Sequence, residues 1–532
     1  MPRITRREWR TVLLYTLCIL LLTSLPYAIG WLRQGADWRF SGFVFGVEDG
    51  FSYLAKMRLG ARGLLDFYLF YTPEPHTPVA LVFLPYILPG WLVGRFISPQ
   101  DSALLPALTL TFHLMRIIFD ALYIAVLYRF IAAFLRAPRT RFTALLLATL
   151  GGGLGWLLLL LAAEPPEFLI PEGFSFLILL GLPHLALARA AFLGGFLCLF
   201  RALSSPTISL RPLIFSALCW LVVGFAVPFY LAILYVILAV WGLCRWGITR
   251  RFPLDFARKA GVAAALTLPL FFYFSLSFAS NPTFSLWSAQ NILRSPPPLN
   301  YLLAYGLITA YALLAVRWAS RKTNAPHYAL LFWPLVVPLL VYLPMITVQR
   351  RLAEAVIIPL AILAAAGLRL LARHPLGKRL RPLLLVLMFT STLIFFVVST
   401  LVVFQPAAPL YRHQNELDAL NWLNTHAPAD SVVLADYALG NILPAYTNLR
   451  PFVGHGPETL RADEKKQLVE RFFSGSMPLA ERQTLYAAYN IRYIIQRIES
   501  NRPISDTNWA GDARLIYDEA GYRIYELEAE AE

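Results

Sequence analysis

Two adjacent carboxylates, Glu48 and Asp49, sit in the stretch GVEDGFSYLAKMRLGARG, and the bases Lys56, Arg58 and Arg62 follow them closely. Strongly apolar sequence lies on both sides, where unpaired charge is expensive. A carboxylate that can take a proton from a hydroxyl, with neighbours to orient it, is a general-base arrangement. Asp49 and Glu48 are therefore the candidate catalytic pair. Asp49 could also act more modestly as the N-cap of a helix beginning at GFSYLAKMR, accepting backbone N–H bonds of its first turn. Shortly afterwards YTPEPHTP offers Glu74 and His76 in a proline-stiffened turn, both candidates for substrate binding.

A second kind of chemistry is suggested by Arg350 and Arg351 in TVQRRLAEA. Arginine binds phosphate bidentately, so a lipid phosphate is a natural partner for this pair. The plainer role is a pair of snorkelling anchors for ordinary headgroups. Inside apolar runs lie His113, Arg116 and Asp120, then His184 and Arg189. Arg116 and Asp120 are spaced to pair on one helix face. Arg116 is also a candidate for donor phosphate and His184 for substrate, since ionisable groups at membrane depth are functional candidates by default. The stretch SNPTFSLWSAQNILRSPPPLN carries Trp287, Gln290, Asn291 and Arg294. An aromatic ring with amides beside it could stack on a sugar and hydrogen-bond it, or Trp287 could simply anchor the interface. His455, in the glycine-flanked turn FVGHGPET, could close over such a site or be a plain loop histidine. The motifs GxGxxG, Walker A, HExxH and GxSxG are absent, which argues against a nucleotide site, a zinc-protease site and a hydrolase elbow.

The elements that must position these groups are mostly membrane helices. Of the 532 residues, 58% are hydrophobic and only 14% charged, against about 25% charged in a soluble chain. Apolar runs long enough to cross a bilayer recur from Val12 to Phe404. The first, from Thr11 to about Trp31, reads as a span because it is long for a signal peptide and lacks a small-residue cleavage site. The net charge of +15 is dispersed among short loops, so it is no nucleic-acid signature. Setting the basic loops 3–10, 136–141, 201–211, 245–259, 317–322 and 369–381 in the cytoplasm gives about eleven spans. The N-terminus is then inside and the C-terminus outside. One apolar stretch, HTPVALVFLPYILPGWLVGRF, is broken by prolines and glycines and reads as interfacial or re-entrant. The long outer loop 33–103 is accordingly a set of membrane-surface helices. The expected fold class is an all-α polytopic membrane domain, residues 1–404, followed by a small extracytoplasmic α/β domain, residues 405–532. In the latter, helical periodicity covers 462–474 and 478–490, and the strands IRYIIQ, ARLIYDE and YRIYELE follow, the last two joined by a turn at Gly521. The four cysteines all fall in apolar runs, without metal-ligand spacing, and read as small core hydrophobes.

EDGFSYLAKMR, PHTPVAL and FHLMRII, in that order, together with QRRLAEAVIIPLAILAAAG, resemble the GT-C superfamily of integral membrane glycosyltransferases. That superfamily includes protein O-mannosyltransferases, aminoarabinose transferases and RgtA/B/C/D-like proteins. The acidic pair here reads Glu-Asp where the family has Asp-Glu, and the family's His-Pro-Pro-Leu turn reads His76-Thr77-Pro78-Val79. The resemblance covers the chain to about residue 404, and the remainder resembles the small extracytoplasmic domain of many members. It implies a polyprenyl-phosphate-linked sugar donor and inverting transfer to a hydroxyl-bearing acceptor on the extracytoplasmic face. Asp49 would be the base, and Arg350 and Arg351 would stabilise the departing lipid phosphate. Some members use a divalent metal (Mg or Mn) at the acidic pair and others none, so the resemblance leaves metal use undecided. Two readings compete: a catalytically inactive GT-C-like scaffold that binds lipid or a partner, and a lipid or sugar transporter. Against the transporter stands the absence of an internal repeat with matching broken spans.

Overall fold

The structure is a computed structural model that describes residues 2–205, 207–321, 325–498, 511 and 513–527. Lys322, at the end of one basic loop, and Glu528, at the end of the last expected strand, lie outside the described residues. Among the described residues, 8 helices are long and apolar enough to cross a membrane, and the bent pair Leu254–Ala265 and Leu268–Ser280 raises the number to 9. Two more apolar helices, Leu210–Ala226 and Pro326–Leu340, occupy runs read as spans but are shorter. Pro334 and Pro338 lie inside the second of them. The stretch after His76 forms only a ten-residue helix, Leu84–Val93, entered through a turn in which Phe83 has positive φ. The protein is thus a multi-pass membrane protein with a mostly helical body and a small sheet near its C-terminus.

The chain divides into two compact units. The first comprises residues 1–26, 114–276 and 292–402. In it Pro183–Leu203 packs on Leu210–Ala226, and Pro298–Ser320 packs on Ile357–Leu371. Its interior holds a fully buried ion pair. The guanidinium of Arg189 meets the Glu354 carboxylate through two 2.8 Å bonds, and it also donates to the Glu172 carbonyl oxygen at 2.6 Å and to Ser175 Oγ at 3.1 Å. Every charge-bearing atom of that guanidinium is met, which is the condition for tolerating a buried charge.

The second unit comprises residues 27–113, 277–291 and 403–532. Its strands Trp38–Phe40 and Tyr411–His413 pair antiparallel, so residues from near opposite ends of the chain share a ladder. A five-stranded sheet runs in the order Arg450–Pro451, Val432–Leu434, Ile491–Arg497, Tyr522–Leu527, Ala513–Glu519. The first three strands are mutually parallel and the last two add antiparallel. Helices Ala462–Phe473 and Leu479–Tyr489 appear where the periodicity places them, and Val469, Phe472 and Leu485 pack with Val432, Ile494 and Tyr525 in the core. In the same unit Val47–Ala61 and Leu84–Val93 touch backbone to backbone. A Cβ on Gly60 would collide with the Ile87 carbonyl, and one on Gly90 with the Met57 carbonyl.

Candidate functional site

The helix Val47–Ala61 carries the acidic pair in its first turn, behind an N-cap Gly46 in left-handed conformation. Asp49 is therefore not the N-cap: the helix starts three residues earlier than expected, and a glycine makes the entry turn. Two carboxylates in the first turn are still favoured by the helix dipole. Helical spacing then aligns Asp49, Ser52 and Lys56 on one face.

Opposite that face lies the turn containing His455 and Glu458. His455 Nε2 is 3.1 Å from Asp49 Oδ1, and its Nδ1 is 3.6 Å from Glu458 Oε1. Glu458 Oε1 accepts from Lys56 Nζ and from Ser52 Oγ, both at 2.7 Å, and Lys56 also donates to Ser52. The imidazole thus lies between two carboxylates, hydrogen-bonded to Asp49 and near Glu458, and the lysine behind them pairs with the deeper one. Burial acts to raise the Glu458 carboxyl, but Lys56 and His455 outweigh it and hold it below its ordinary range. The gradient of exposure is steep: the Asp49 side chain is 56% exposed and that of His455 only 6%. A carboxylate facing outward on a buried, charged support is suited to receive a proton from a bound hydroxyl.

Glu48 is held separately. Tyr437 Oη donates to Glu48 Oε2 at 2.9 Å and accepts from the Gly456 N–H at 3.0 Å. Burial, with the nearby Glu48 and Asp49 charges, pushes the Tyr437 phenol up to about 12, so it stays protonated and can donate. The remaining bases of the opening stretch are also engaged within this unit. Arg58 donates to the carbonyls of Ala445 and Tyr446 at 2.9 and 2.7 Å, closing the C-terminal end of the helix Tyr437–Tyr446. Arg62 grips Asp430 with bonds of 2.6 and 3.0 Å. These contacts fix Tyr437 and the 455–458 turn against the acidic pair.

The other residues singled out in this unit are held as follows. Glu74 pairs with Lys465 at 2.7 Å and accepts a hydrogen bond from Thr72. Burial opposes its charge, yet Lys465 keeps the carboxyl below its usual value, while burial pulls Lys465 itself down to about 8. His76 Nδ1 lies 2.7 Å from the Glu74 carbonyl, and its Nε2 accepts from the Leu69 N–H at 2.9 Å. That pattern fixes one neutral tautomer, and burial lowers its pKa. Trp287 is buried among the rings of Phe67, Phe278 and Phe284. Gln290 donates to the Thr459 carbonyl at 2.7 Å and accepts from the Arg461 N–H at 3.2 Å, so it fastens the segment just after Glu458. Asn291 ends the helix Pro282–Gln290. His113 Nε2 sits 3.0 Å from the Gly42 carbonyl oxygen.

In the first unit Arg350 and Arg351 lie on the 3-10 turn Gln349–Ala353, both half-buried. Arg351 Nε is 3.7 Å from Glu172, and the guanidinium carbon lies 5.9 Å from the Phe229 ring centre. Next along the chain comes Glu354, the partner of Arg189, so the buried ion pair anchors this turn. Among the described residues Arg116 makes no hydrogen bond to Asp120: its guanidinium reaches Thr23 Oγ1 at 3.1 Å and Ser24 Oγ at 2.7 Å. His184 lies in the first turn of Pro183–Leu203, partly exposed.

Reading the sequence alone does not reveal Lys56 and Glu458 as partners, nor the contact of His455 with Asp49. The helical spacing of Asp49, Ser52 and Lys56 was visible, but the acid that completes the group stands 402 residues from Lys56. A metal at the acidic pair is not supported by the donor set. Among the described residues no group of three or more His, Cys, Asp or Glu side chains is placed to hold one.

The fold described above is similar to that of several solved structures. Three solved structures carry the likeness. ArnT from Cupriavidus metallidurans bound to undecaprenyl phosphate aligns over 99% of this chain and 99% of its own, at 14% identity and a TM-score of 0.50. The arabinofuranosyltransferase AftD from Mycobacteria covers 99% of this chain and 40% of its own, at 14% identity and a TM-score of 0.56. The apo oligosaccharyltransferase of Archaeoglobus fulgidus covers 92% of this chain and 70% of its own, at 12% identity and a TM-score of 0.55. No protein-family model matches the sequence, and no curated protein matches it.

Proposed function

We propose that this protein is a membrane glycosyltransferase that moves a sugar from a polyprenyl-phosphate-linked donor to a hydroxyl-bearing acceptor on the extracytoplasmic face, with inversion. The observation that carries the reading is the outward-facing Asp49 carboxylate on its His455–Glu458–Lys56 support. The fold adds to it, since one structure of that fold is described with undecaprenyl phosphate bound. In this reading Asp49 takes the acceptor's hydroxyl proton as the oxygen attacks the anomeric carbon. The bond from that carbon to the lipid-phosphate oxygen breaks, its electron pair stays on the phosphate, and Arg350 and Arg351 meet the added negative charge. His455 is a positioning residue. Its Nε2–H holds one oxygen of Asp49, which fixes the direction in which the carboxylate faces.

The orientation that suits this chemistry has the N-terminus in the cytoplasm and residues 405–532 as an extracytoplasmic domain, as the basic loops favour. The test is transfer in membranes or detergent with a polyprenyl-phosphate sugar. Asp49→Asn is expected to abolish transfer while leaving expression and thermal unfolding unchanged. Unchanged transfer by that variant would remove Asp49 as the base. Arg350→Ala combined with Arg351→Ala is expected to raise the donor concentration needed for half-maximal rate. An unaltered donor dependence would reduce the pair to membrane anchors.

A further inference from the structure

A cavity of about 710 Å³ opens in the first unit among the ends of several helices, at residues 2, 133–137, 140, 200, 203–204, 318, 326–327, 366, 369–370 and 373. Three guanidinium-bearing residues line it: Arg136, just after Leu104–Phe134, and Arg369 and Arg373, at the end of Ile357–Leu371. Among the described residues no Asp or Glu lines it. None of the three arginines makes a side-chain hydrogen bond or ion pair within the described residues, although Arg189, Arg141 and Arg351 of the same unit all have carboxylate partners. The helix Pro138–Leu150 also begins at the cavity, through Ala137 and Thr140, and adds the positive end of its dipole. Phe134, Phe200, Trp318 and Leu370 supply an apolar wall. Three like charges around one hollow repel each other unless an anion sits between them.

We propose that this cavity binds a phosphate-bearing anion that is amphiphilic in character, the headgroup of an anionic phospholipid being the form its mixed wall fits. Basic pockets between membrane helices bind such headgroups, and arginine forks match phosphate oxygens bidentately. The site is separate from the one assigned to the donor. Arg350 and Arg351 precede the N-terminal end of Ile357–Leu371, whereas Arg369 and Arg373 lie at its other end. The proposal does not depend on glycosyl transfer.

The experiment is native mass spectrometry of the full chain in detergent, titrated with dioleoyl phosphatidylglycerol, dioleoyl phosphatidylcholine or inorganic pyrophosphate. The comparison is between the parent, the triple variant Arg136→Gln, Arg369→Gln, Arg373→Gln, and a charge-matched control, Arg10→Gln, Arg258→Gln, Arg317→Gln, whose residues are exposed and outside the cavity. Phosphatidylglycerol is expected to bind the parent and the control at least about tenfold more tightly than the cavity variant, and more tightly than phosphatidylcholine. The same loss with pyrophosphate but not with the lipid would support the phosphate site and assign it to a soluble ligand. Equal binding of both probes to parent and cavity variant, or binding of neither probe to the parent, would overturn the proposal.

Discussion

At the scale of single residues, the proposed function turns on an imidazole placed between two acids of unequal exposure. His455→Gln should keep the fold, lower the turnover number about 10²-fold, leave the donor requirement nearly unchanged, and alter the pH dependence of the rate. A uniform loss with the parental pH profile would mean that His455 only packs. Deeper in, Glu458→Gln leaves Lys56 charged and buried, which should cost about 3–5 kcal/mol, seen as a lowered Tm in detergent. The sign with pH follows from the depressed carboxyls of Glu458 and Glu74. Their stabilising effect is fully present above the unfolded value of 4.5 and is lost as pH falls through the lower folded value. Thermal stability should therefore stay level from neutral pH down to that value and decline below it. Replacing Glu458 by Gln together with Lys56 by Met should flatten the decline, and an acid limb identical to the parent's would exclude this pair as its source.

At the scale of elements, the closest packing in the second unit depends on residues with no side chain. Gly60→Ala or Gly90→Ala would push Val47–Ala61 away from Leu84–Val93. Overpacking of this kind costs typically about 1–3 kcal/mol, and backbone obstruction puts these sites at the upper end. Yield of folded protein by size-exclusion chromatography should fall for both variants, whereas Gly35→Ala, where the added carbon meets nothing, should behave as the parent. The long helices were legible from apolar length, and the Ala462–Phe473 and Leu479–Tyr489 helices from their polar–apolar rhythm, because both signals are local. The acidic pair was legible because charge stands out in an apolar chain. What stayed hidden was every contact between residues far apart along the chain: Arg58 on the Ala445 carbonyl, Glu458 under Lys56, and the Arg116 guanidinium turned to Thr23 and Ser24 instead of Asp120. The N-cap was misplaced because Gly46 can adopt a positive φ that makes a side-chain cap unnecessary.

At the scale of the whole molecule, the turn that bears Arg350 and Arg351 is secured by a buried pair on its far side. Arg189→Met should strand the Glu354 charge and destabilise by about 3–5 kcal/mol, with a raised donor requirement accompanying the lower Tm. The support proposed for Asp49, by contrast, is drawn from distant parts of the sequence, since Asp49 and His455 are 406 residues apart. During synthesis at about 5–20 residues per second, the nascent acid pair waits on the order of 20–80 s before its imidazole is made. Ribosome-bound or prematurely terminated chains carry the carboxylates yet lack the group that aims them. If Asp49 is the base as proposed, a product ending near residue 402 should reach the membrane inert.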